Sequence, residues 1–462
     1  MPASTDDRRS PRASANGESD EGGQRRAGVD LLARVQRELG LAGAEVVSPP
    51  HRAVPLPSRL ATADLAWASV SAAMLAAGRS PASLDPERIA TAYRSDRVLT
   101  ISGEAPPVWS VYSGFWRTSD GWIRTHGNYP HHAAGLRAGL RLRHDAAVDA
   151  VRDALGERTT TAAVADITTA GGLAVAVAAE EPAVDRALRE HPLLELVRID
   201  TTPASHAPRA TAASTPPASL PLQGMRVLDL TRVIAGPVCS RTLAMLGADV
   251  LRIDPPHLPE PEWQHLDTGH GKRSAVLDAR TSRLQELLAH ADAVVLGYRP
   301  AALDRLGLQP EVLARRYPRL VVAQLSAWGV ENPERAGFDS LVQAASGISF
   351  IESADGDRPG ALPAQALDHS AGYLLAAAVT ALLCRRAQEE GSWIVRTSLR
   401  RVAAELLGMP RSGEPAAEVE FDTRPHVARF DVDGTALVTA RPALAGFEYR
   451  APHKWGSDQP TW

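Results

Sequence analysis

Residues 225–254 decide the fold of the chain; they read MRVLDLTRVIAGPVCSRTLAMLGADVLRID. The short apolar run Met225–Leu230 follows Gly224 and predicts a β-strand. A turn at 235–237 leads into a stretch with helical spacing that ends at Gly247. The next apolar run, Asp249–Ile253, predicts a second strand. A strand, a helix and a strand in this order are typical of a parallel β-sheet.

The same alternation continues toward the C-terminus. Ala293–Leu296 and Leu320–Leu325 predict further strands, with helical segments between them. We therefore predict an α/β fold with a Rossmann-like parallel-sheet large domain. Upstream, helical spacing over Leu60–Leu75 is followed by an aromatic stretch in which Asp120-Gly121 predicts a hairpin turn. This region predicts a second, smaller α+β domain.

Composition divides the chain into four parts. Residues 1–28 are polar and low in complexity, which predicts a disordered tail. Residues 201–220 (TTPASHAPRATAASTPPASL) predict an interdomain linker. Residues 29–200 would then form the smaller α+β region, and 221–462 the large domain.

Composition also excludes several classes of protein. The net charge of −4 over 462 residues gives no basic surface for nucleic acid. Two cysteines exclude a disulfide scaffold. The longest apolar run, near Tyr373–Cys384, has about a dozen residues, whereas a membrane span needs roughly 20. We expect a soluble, cytoplasmic protein that binds neither nucleic acid nor membrane.

Common cofactor and metal motifs are missing or incomplete. Gly271-Lys-Arg273 lacks the first glycine and the Ser or Thr of a phosphate loop. No GxGxxG follows the first strand and no GxSxG is present. The histidines of THGNYPHH, at 126, 131 and 132, lack the spacing of metal ligands and indicate a surface turn. We predict no metal and no permanently bound cofactor.

Three features of the C-terminal part suit an anionic ligand. The turn Thr231–Pro237 follows a strand at the edge where open sheets bind ligands, although an ordinary strand-to-helix turn has the same pattern. The basic turn Gly269–Ser274 suits phosphates but is also typical of a solvated loop. Arg299 and Arg305 flank a short helix, where either could simply pair with Asp304.

Asp368 is the candidate nucleophile. It lies in the sequence AQALDHSAG (364–372), just before the apolar helix predicted over Tyr373–Cys384. One interpretation is a helix cap, since a carboxylate there accepts backbone N–H bonds. The other is a carboxylate that forms covalent acyl intermediates.

Several linked segments between 221 and 400 resemble the family III CoA-transferases, the CaiB–BaiF group. They are LPLQGMRVLDLTRVIAGPVCSRTLAMLGADVLRID, GKRSAVLD, ADAVVLGYRPAALDRLGL, YPRLVVAQLSAWG and GFDSLVQAASGIS, in the family's order. The resemblance implies transfer of coenzyme A from an acyl-CoA to a carboxylic acid, with coenzyme A as substrate. It also implies an interlocked homodimer.

The resemblance also implies the site residues. Asp368 matches the catalytic aspartate, which forms an aspartyl–acyl anhydride and then an aspartyl-CoA thioester. Backbone N–H groups near Ala371 and Gly372 are candidates for stabilising the oxyanion. The implied coenzyme A contacts are Arg232, Val233, Ile234, Ala235, Lys272, Arg273, Gly297, Tyr298 and Arg305.

Some features depart from the family pattern. Gly297 stands where many members have Asn, and Pro255 and Pro256 stand where members often carry a basic residue. The segment WRTSDGW at 116–122 resembles a piece of the family's small domain, but here it precedes the large domain. The order therefore resembles a permutation or a fusion.

Two alternatives follow from the same resemblance. The racemase branch carries His where this chain has Phe338, so an acyl-CoA racemase or isomerase would need His369 or His126 opposite Asp368. A non-catalytic coenzyme A-binding homologue is the other alternative.

Overall fold

A computed structural model of the chain describes residues 16–41, 48–200, 220–386 and 389–462. The described chain contains short 3₁₀ helices at Pro81–Ser83 and Arg424–His426. Its α-helices are α1 (Asn16–Leu39), α2 (Thr62–Ala76), α3 (Pro86–Tyr93), α4 (Ser95–Val98), α5 (Pro130–Gly139), α6 (Val148–Gly156), α7 (Thr160–Thr169), α8 (Pro182–Glu190), α9 (Ala235–Met245), α10 (Glu262–Thr268), α11 (Ser282–Ala289), α12 (Pro300–Arg305), α13 (Pro310–Arg316), α14 (Asp339–Ala345), α15 (Ile348–Ile351), α16 (Ala366–Arg385) and α17 (Leu399–Leu407).

The strands form one large sheet and two small ones. They are β1 (Thr100–Ile101), β2 (Gly114–Arg117), β3 (Trp122–Thr125), β4 (Ala174–Ala176), β5 (Glu195–Ile199), β6 (Arg226–Leu230), β7 (Asp249–Asp254), β8 (Lys272–Val276), β9 (Ala293–Leu296), β10 (Val321–Ser326), β11 (Ser392–Ser398), β12 (Val427–Val432) and β13 (Thr435–Ala440).

The seven-stranded sheet has the order β5-β11-β10-β9-β6-β7-β8. Its strands are parallel except for β5, which pairs antiparallel with β11 at the edge. The predicted α/β fold with a parallel sheet is confirmed. The chain leaves β6 toward β7 and β8, and then returns to the other side of β6 as β9. The sheet therefore changes direction between β6 and β9, which is where open α/β sheets bind ligands.

The two smaller sheets are antiparallel and three-stranded, β2-β3-β4 and β1-β13-β12. In the first, Arg117 pairs with Trp122, and the Thr118 N–H donates to the Gly121 carbonyl at 2.9 Å. This confirms the hairpin predicted from Asp120-Gly121.

The N-terminal part is joined to the large sheet more closely than composition predicts. Strand β5, from residues 195–199, is an edge strand of the large sheet, and helix α2 packs against α16. Residues 16–28, predicted to be a disordered tail, are the first half of α1. The apolar face of α1, including Leu31 and Val35, is buried in the main core, and that burial stabilises the helix. Residues 1–15 and 201–219 lie outside the described residues.

Helix α16 is the central element of the core. It begins at Ala366, seven residues before the predicted start, because the segment before Tyr373 is also buried. By length and composition α16 would suit a membrane span, but 94% of its apolar window is buried inside the protein. Gly372 allows a close approach to α9, since a Cβ there would lie 2.6 Å from the carbonyl oxygen of Ala235.

Substitution Gly372→Ala should therefore destabilise the fold. The added methyl group forces α16 away from α9, and overpacking of this kind costs about 1–3 kcal/mol. Urea unfolding followed by circular dichroism measures the change.

Gly156→Ala is the matched control, since nothing lies within 4 Å of a Cβ at this helix end. Equal unfolding midpoints for the two variants would show that the close contact between α16 and α9 at Gly372 does not contribute to stability.

Candidate active site

The turn after β6 and the turn after β9 meet at the point where the sheet changes direction. The Gly297 N–H donates to the Leu230 carbonyl at 3.1 Å. A Cβ at Gly297 would lie 3.0 Å from the Thr231 side chain, so this crowded position favours glycine over the Asn of many family members. Val233 adopts φ +73°, a costly conformation for a β-branched residue. Such strain persists where surrounding contacts hold it, and it is typical of ligand-binding turns.

A buried ion pair between Asp229 and Lys272 supports the turn after β6. The Asp229 carboxylate accepts hydrogen bonds from the hydroxyls of Thr231 and Ser240, and from Lys272 Nζ at 3.0 Å. Lys272 Nζ also donates to the Pro237 carbonyl at 3.0 Å. Burial lowers the pKa of Lys272 to about 8. Lys272 was expected to contact coenzyme A, but its ammonium group is enclosed and supports the turn instead.

The basic turn that contains Lys272 and Arg273 is covered by the C-terminal segment. His270 forms a β-bridge with Pro452. The Arg273 guanidinium pairs with Asp249 at 2.9 Å and stacks over the ring of Trp462. Arg273 therefore lies away from the turns at 231–235 and 297–298, contrary to the expected contact. The covering segment is distant in sequence, so the glycine-rich pattern alone resembles an open loop.

Asp368 lies in the first turn of α16 and is 5% exposed. It does not cap the helix: none of the described residues donates a hydrogen bond to its carboxyl group. The cap is Asp339, whose carboxylate accepts from the backbone N–H groups of Leu367 and of Asp368, the latter at 2.9 Å. Gln343 donates to Asp339 as well. The sequence interpretation of Asp368 as a helix cap is wrong.

These contacts divide the roles of the two carboxyl groups. Burial, together with the negative charge of Asp339, raises the pKa of Asp368 well above its usual range. Burial also raises the pKa of Asp339, to about 6, but its hydrogen bonds favour the ionised form. The ion is therefore held on Asp339 and the proton on Asp368. Asp339 was missed from the sequence, although it is the acid of the GFD segment.

The two backbone amides suggested for an oxyanion lie elsewhere. Ala371 and Gly372 are beyond the first turn of α16, where backbone N–H groups are bonded within the helix. Their proposed role therefore does not fit the structure.

Asp368 lines two cavities. The larger has a volume of about 1390 Å³ and is also lined by Arg232, Val233, Ala235, Gly297 and Tyr298. The smaller is about 40 Å³, and its walls include Val233, Ile234 and Asp368. The structure thus brings six of the nine expected coenzyme A contacts together with the expected nucleophile.

Arginine side chains that the sequence did not single out line the larger cavity. Arg335 and Arg400 do so together with Arg299. Arg335 stacks over the ring of Trp328 at 3.5 Å and has no carboxylate partner among the described residues. Arg305 does not line the cavity but pairs at 2.9 Å with Glu334, which does. The sequence signal for Arg335 is its position three residues before Phe338, next to the GFD segment.

Arg232 connects the site to the N-terminal part. Its guanidinium lies over the ring of Tyr129 at 4.7 Å and pairs with Glu260 at 3.1 Å. Glu260 also accepts from the Tyr129 hydroxyl at 2.6 Å and from buried Arg252 at 2.8 Å. These contacts fix residues near 129 against the turn at 231–235.

The histidines of the THGNYPHH segment lie at the site. His126 stacks on Phe338 with 4.0 Å between ring centroids and lines the smaller cavity with Asp368. Its Nδ1 has no hydrogen-bond partner in the described part of the chain. Burial lowers the pKa of His126 to about 3, so the ring is neutral. No group of three or more potential metal ligands occurs among the described residues.

Comparison with known proteins assigns the large domain. Residues 222–420 match the sequence model of CoA-transferase family III. This part of the chain is thus similar to CoA-transferase family III. The predicted family resemblance is thereby confirmed.

Relatives of the domain include transferases and a racemase. The chain is 30% identical over 257 residues to the probable fatty acyl-CoA transferase Rv3272 of Mycobacterium tuberculosis, covering 48% of this chain and 65% of the relative. It is 32% identical to the succinyl-CoA:glutarate CoA-transferase of Mus musculus, covering 30% of this chain and 37% of the relative. It is 34% identical to the alpha-methylacyl-CoA racemase of Homo sapiens, covering 34% of this chain and 42% of the relative. The chain thus spans less than two thirds of these relatives.

Solved structures give a partial match. The crystal structure of Rv3272 from M. tuberculosis is 32% identical, with a TM-score of 0.38, over 41% of this chain and 57% of that one. A CAIB/BAIF family protein from Brucella suis is 24% identical, with a TM-score of 0.38, over 48% of this chain and 66% of that one.

The raised pKa of Asp368 predicts that Asp368→Asn stabilises the fold at high pH. The folded state holds this proton more tightly than the unfolded chain, so stability falls as pH rises from about 4 through the raised pKa. At pH 8 the variant should be more stable than the parent by on the order of 1 kcal/mol. Urea unfolding at pH 5 and pH 8 measures this, and the difference should shrink at pH 5.

Asp357→Asn, at an exposed acid paired with Arg117, is the control and should show no such pH dependence. A variant Asp368→Asn that is less stable than the parent at pH 8 would contradict the assigned proton.

Proposed function

We propose that the chain transfers coenzyme A from an acyl-CoA to a carboxylic acid, with Asp368 as the nucleophile. One observation carries the proposal. Asp368 is a buried carboxyl group that lines both the large cavity and the small one, and none of the described residues donates a hydrogen bond to it. A carboxyl group without donors is costly to bury as an ion and is correspondingly reactive once ionised.

The two cavities suit the two halves of an acyl-CoA. The larger one has room for coenzyme A, and Arg299, Arg335 and Arg400 line it. Arg299 pairs with Glu334 and Arg400 with Asp185, so Arg335, which has no carboxylate partner among the described residues, is the cation best placed for a phosphate. The smaller one would hold the acyl group. The thioester carbon would then lie beside Asp368, which borders both. Homodimer formation and a cytoplasmic location stay predictions.

In the proposed reaction Asp368 first releases its proton to solvent and becomes a carboxylate. A carboxylate oxygen attacks the thioester carbon, the C–S bond breaks, and the thiolate of coenzyme A leaves an aspartyl–acyl anhydride. The thiolate then attacks the Asp368 carbonyl carbon, which releases the donor acid as a carboxylate and forms an aspartyl-CoA thioester. The acceptor carboxylate attacks this thioester, and the same two steps run in reverse. The thioester bond is exchanged without ATP.

Acyl-CoA racemisation is the second candidate. It is supported by His126, a neutral imidazole with a free Nδ1 that lines the same cavity as Asp368. Two acid–base groups on one cavity could remove and return an α-proton. His369 is also buried there, and its ring stacks on Tyr93 at 5.0 Å.

Hydroxylamine trapping tests the nucleophile. Incubation with an acyl-CoA and hydroxylamine should convert Asp368 to a hydroxamate, which peptide mass spectrometry detects. Asp339→Asn should keep Asp368 reactive and move the pH midpoint of labelling lower by about one pH unit, because the neighbouring negative charge is removed.

Asp368→Ala is the control and should abolish the label. If Asp368 stays unlabelled and deuterium from D₂O enters the substrate α-carbon, the transferase proposal is overturned and the racemase proposal is supported. Coenzyme A binding with neither reaction would indicate a non-catalytic homologue.

Arg335→Ala should weaken coenzyme A binding. Losing a charge-assisted contact to phosphate is expected to raise the Kd about tenfold. Isothermal titration with coenzyme A measures the change. Arg315→Ala removes an exposed arginine outside the cavity and is the matched control. An unchanged Kd for Arg335→Ala would place the phosphates elsewhere.

A further inference from the structure

The smaller cavity has both apolar and polar residues on its walls, and the polar ones include the amides Asn128, Gln264 and Gln365. Trp109, Ile234 and Trp263 contribute apolar surface, and Tyr93 and Phe338 add aromatic rings. With a volume of about 40 Å³, it has room for a short chain. The walls therefore suit a small apolar group.

The charged groups on the same walls are acids. Asp96 and Asp267 line the cavity together with Asp368. The Asp267 carboxylate accepts hydrogen bonds from the Ser95 hydroxyl at 2.7 Å and from the Thr439 hydroxyl at 3.0 Å. The negative charge of Asp267, after burial, contributes to a raised pKa of Asp96. The two acids are thus close enough to repel each other.

Among the described residues, no arginine or lysine lines this cavity. Several arginines lie near the walls without lining the cavity, and the charges of Arg94 and Arg97 offset part of the rise in the pKa of Asp96. Arg241 donates to the backbone carbonyl of Asp267 at 2.7 Å and stacks on Tyr449. Arg97 is exposed and donates to the Pro363 carbonyl at 2.6 Å. Arg124 lies over the ring of Trp109, at 5.2 Å from its centroid.

We propose that this cavity selects short acyl groups without a second carboxylate, and rejects dicarboxylic acyl groups. The selection rests on the proposed function, because the acyl group must lie beside Asp368. A second carboxylate would enter a confined space with Asp96 and Asp267 on its walls, where none of the described lining residues is an arginine or lysine. Rejection by unpaired like charge is a common route to specificity.

Butyryl-CoA and succinyl-CoA are a matched pair of probes. They differ only in a terminal methyl group against a terminal carboxylate. The initial rate of hydroxamate formation on Asp368 should be about a hundredfold lower for succinyl-CoA than for butyryl-CoA, the order of discrimination that an unpaired buried charge gives. Equal rates, or a faster reaction with succinyl-CoA, would overturn the selectivity.

The variant Asp96→Asn tests the source of the selectivity. Removing one wall charge should lower the butyryl-to-succinyl rate ratio by about tenfold. Asp357→Asn, which changes an exposed acid outside the cavity, should leave the ratio unchanged. A ratio unaffected by Asp96→Asn, in a variant whose unfolding midpoint matches the parent, would overturn the role of Asp96.

The same experiment separates failure of the selectivity from failure of the proposed function. Absence of hydroxamate with both acyl-CoAs, while coenzyme A still binds, would overturn the proposed function and this inference with it. Hydroxamate with succinyl-CoA as the better donor would overturn the selectivity alone.

Discussion

Two carboxyl groups, of Asp339 and Asp368, lie at the N-terminus of the buried helix α16, and the site depends on which of them accepts the backbone hydrogen bonds there. A helix N-terminus offers a small number of unpaired backbone N–H groups. Asp339 takes those of Leu367 and Asp368, so it carries the negative charge at low cost. Among the described residues, Asp368 has neither a hydrogen-bond donor nor a positively charged partner. Asp339 thus accepts the backbone hydrogen bonds that Asp368 lacks, and Asp368 lines the two cavities.

This arrangement needs a rigid surrounding, because a mobile site would let water solvate Asp368. Two features provide it. The close contact of Gly372 with Ala235 fixes α16 against the turn that follows β6. Behind that turn, Asp229 and Lys272 form a fully buried pair that also binds the Pro237 carbonyl. A buried pair of this kind is weak evidence for stability but strongly fixes geometry. The strained Val233 is held by these contacts.

The sheet could be predicted from sequence because each strand is a short apolar run bounded by turn residues. Asp368 could be identified from its motif. The sequence could not show that Lys272 points inward, because the residues that cover its turn, near Pro452, are about 180 positions away. Nor could it show that Asp339, rather than Asp368, caps α16. Both failures concern contacts between residues that are distant along the chain, which local patterns do not encode.

The order of segments in the chain has a consequence for the division of labour within the site. Residues 222–420, which match CoA-transferase family III, include Asp368, Asp339 and the turns at the change of direction in the sheet. Much of the wall that faces the smaller cavity comes from residues 93–129, which precede that segment. Tyr129 ties this region to Arg232 and Glu260 of that segment, so one chain brings both sets of residues together. Under the proposed function, reactivity resides in the part of the chain that matches the family, and selection among acyl groups depends in large part on the preceding region.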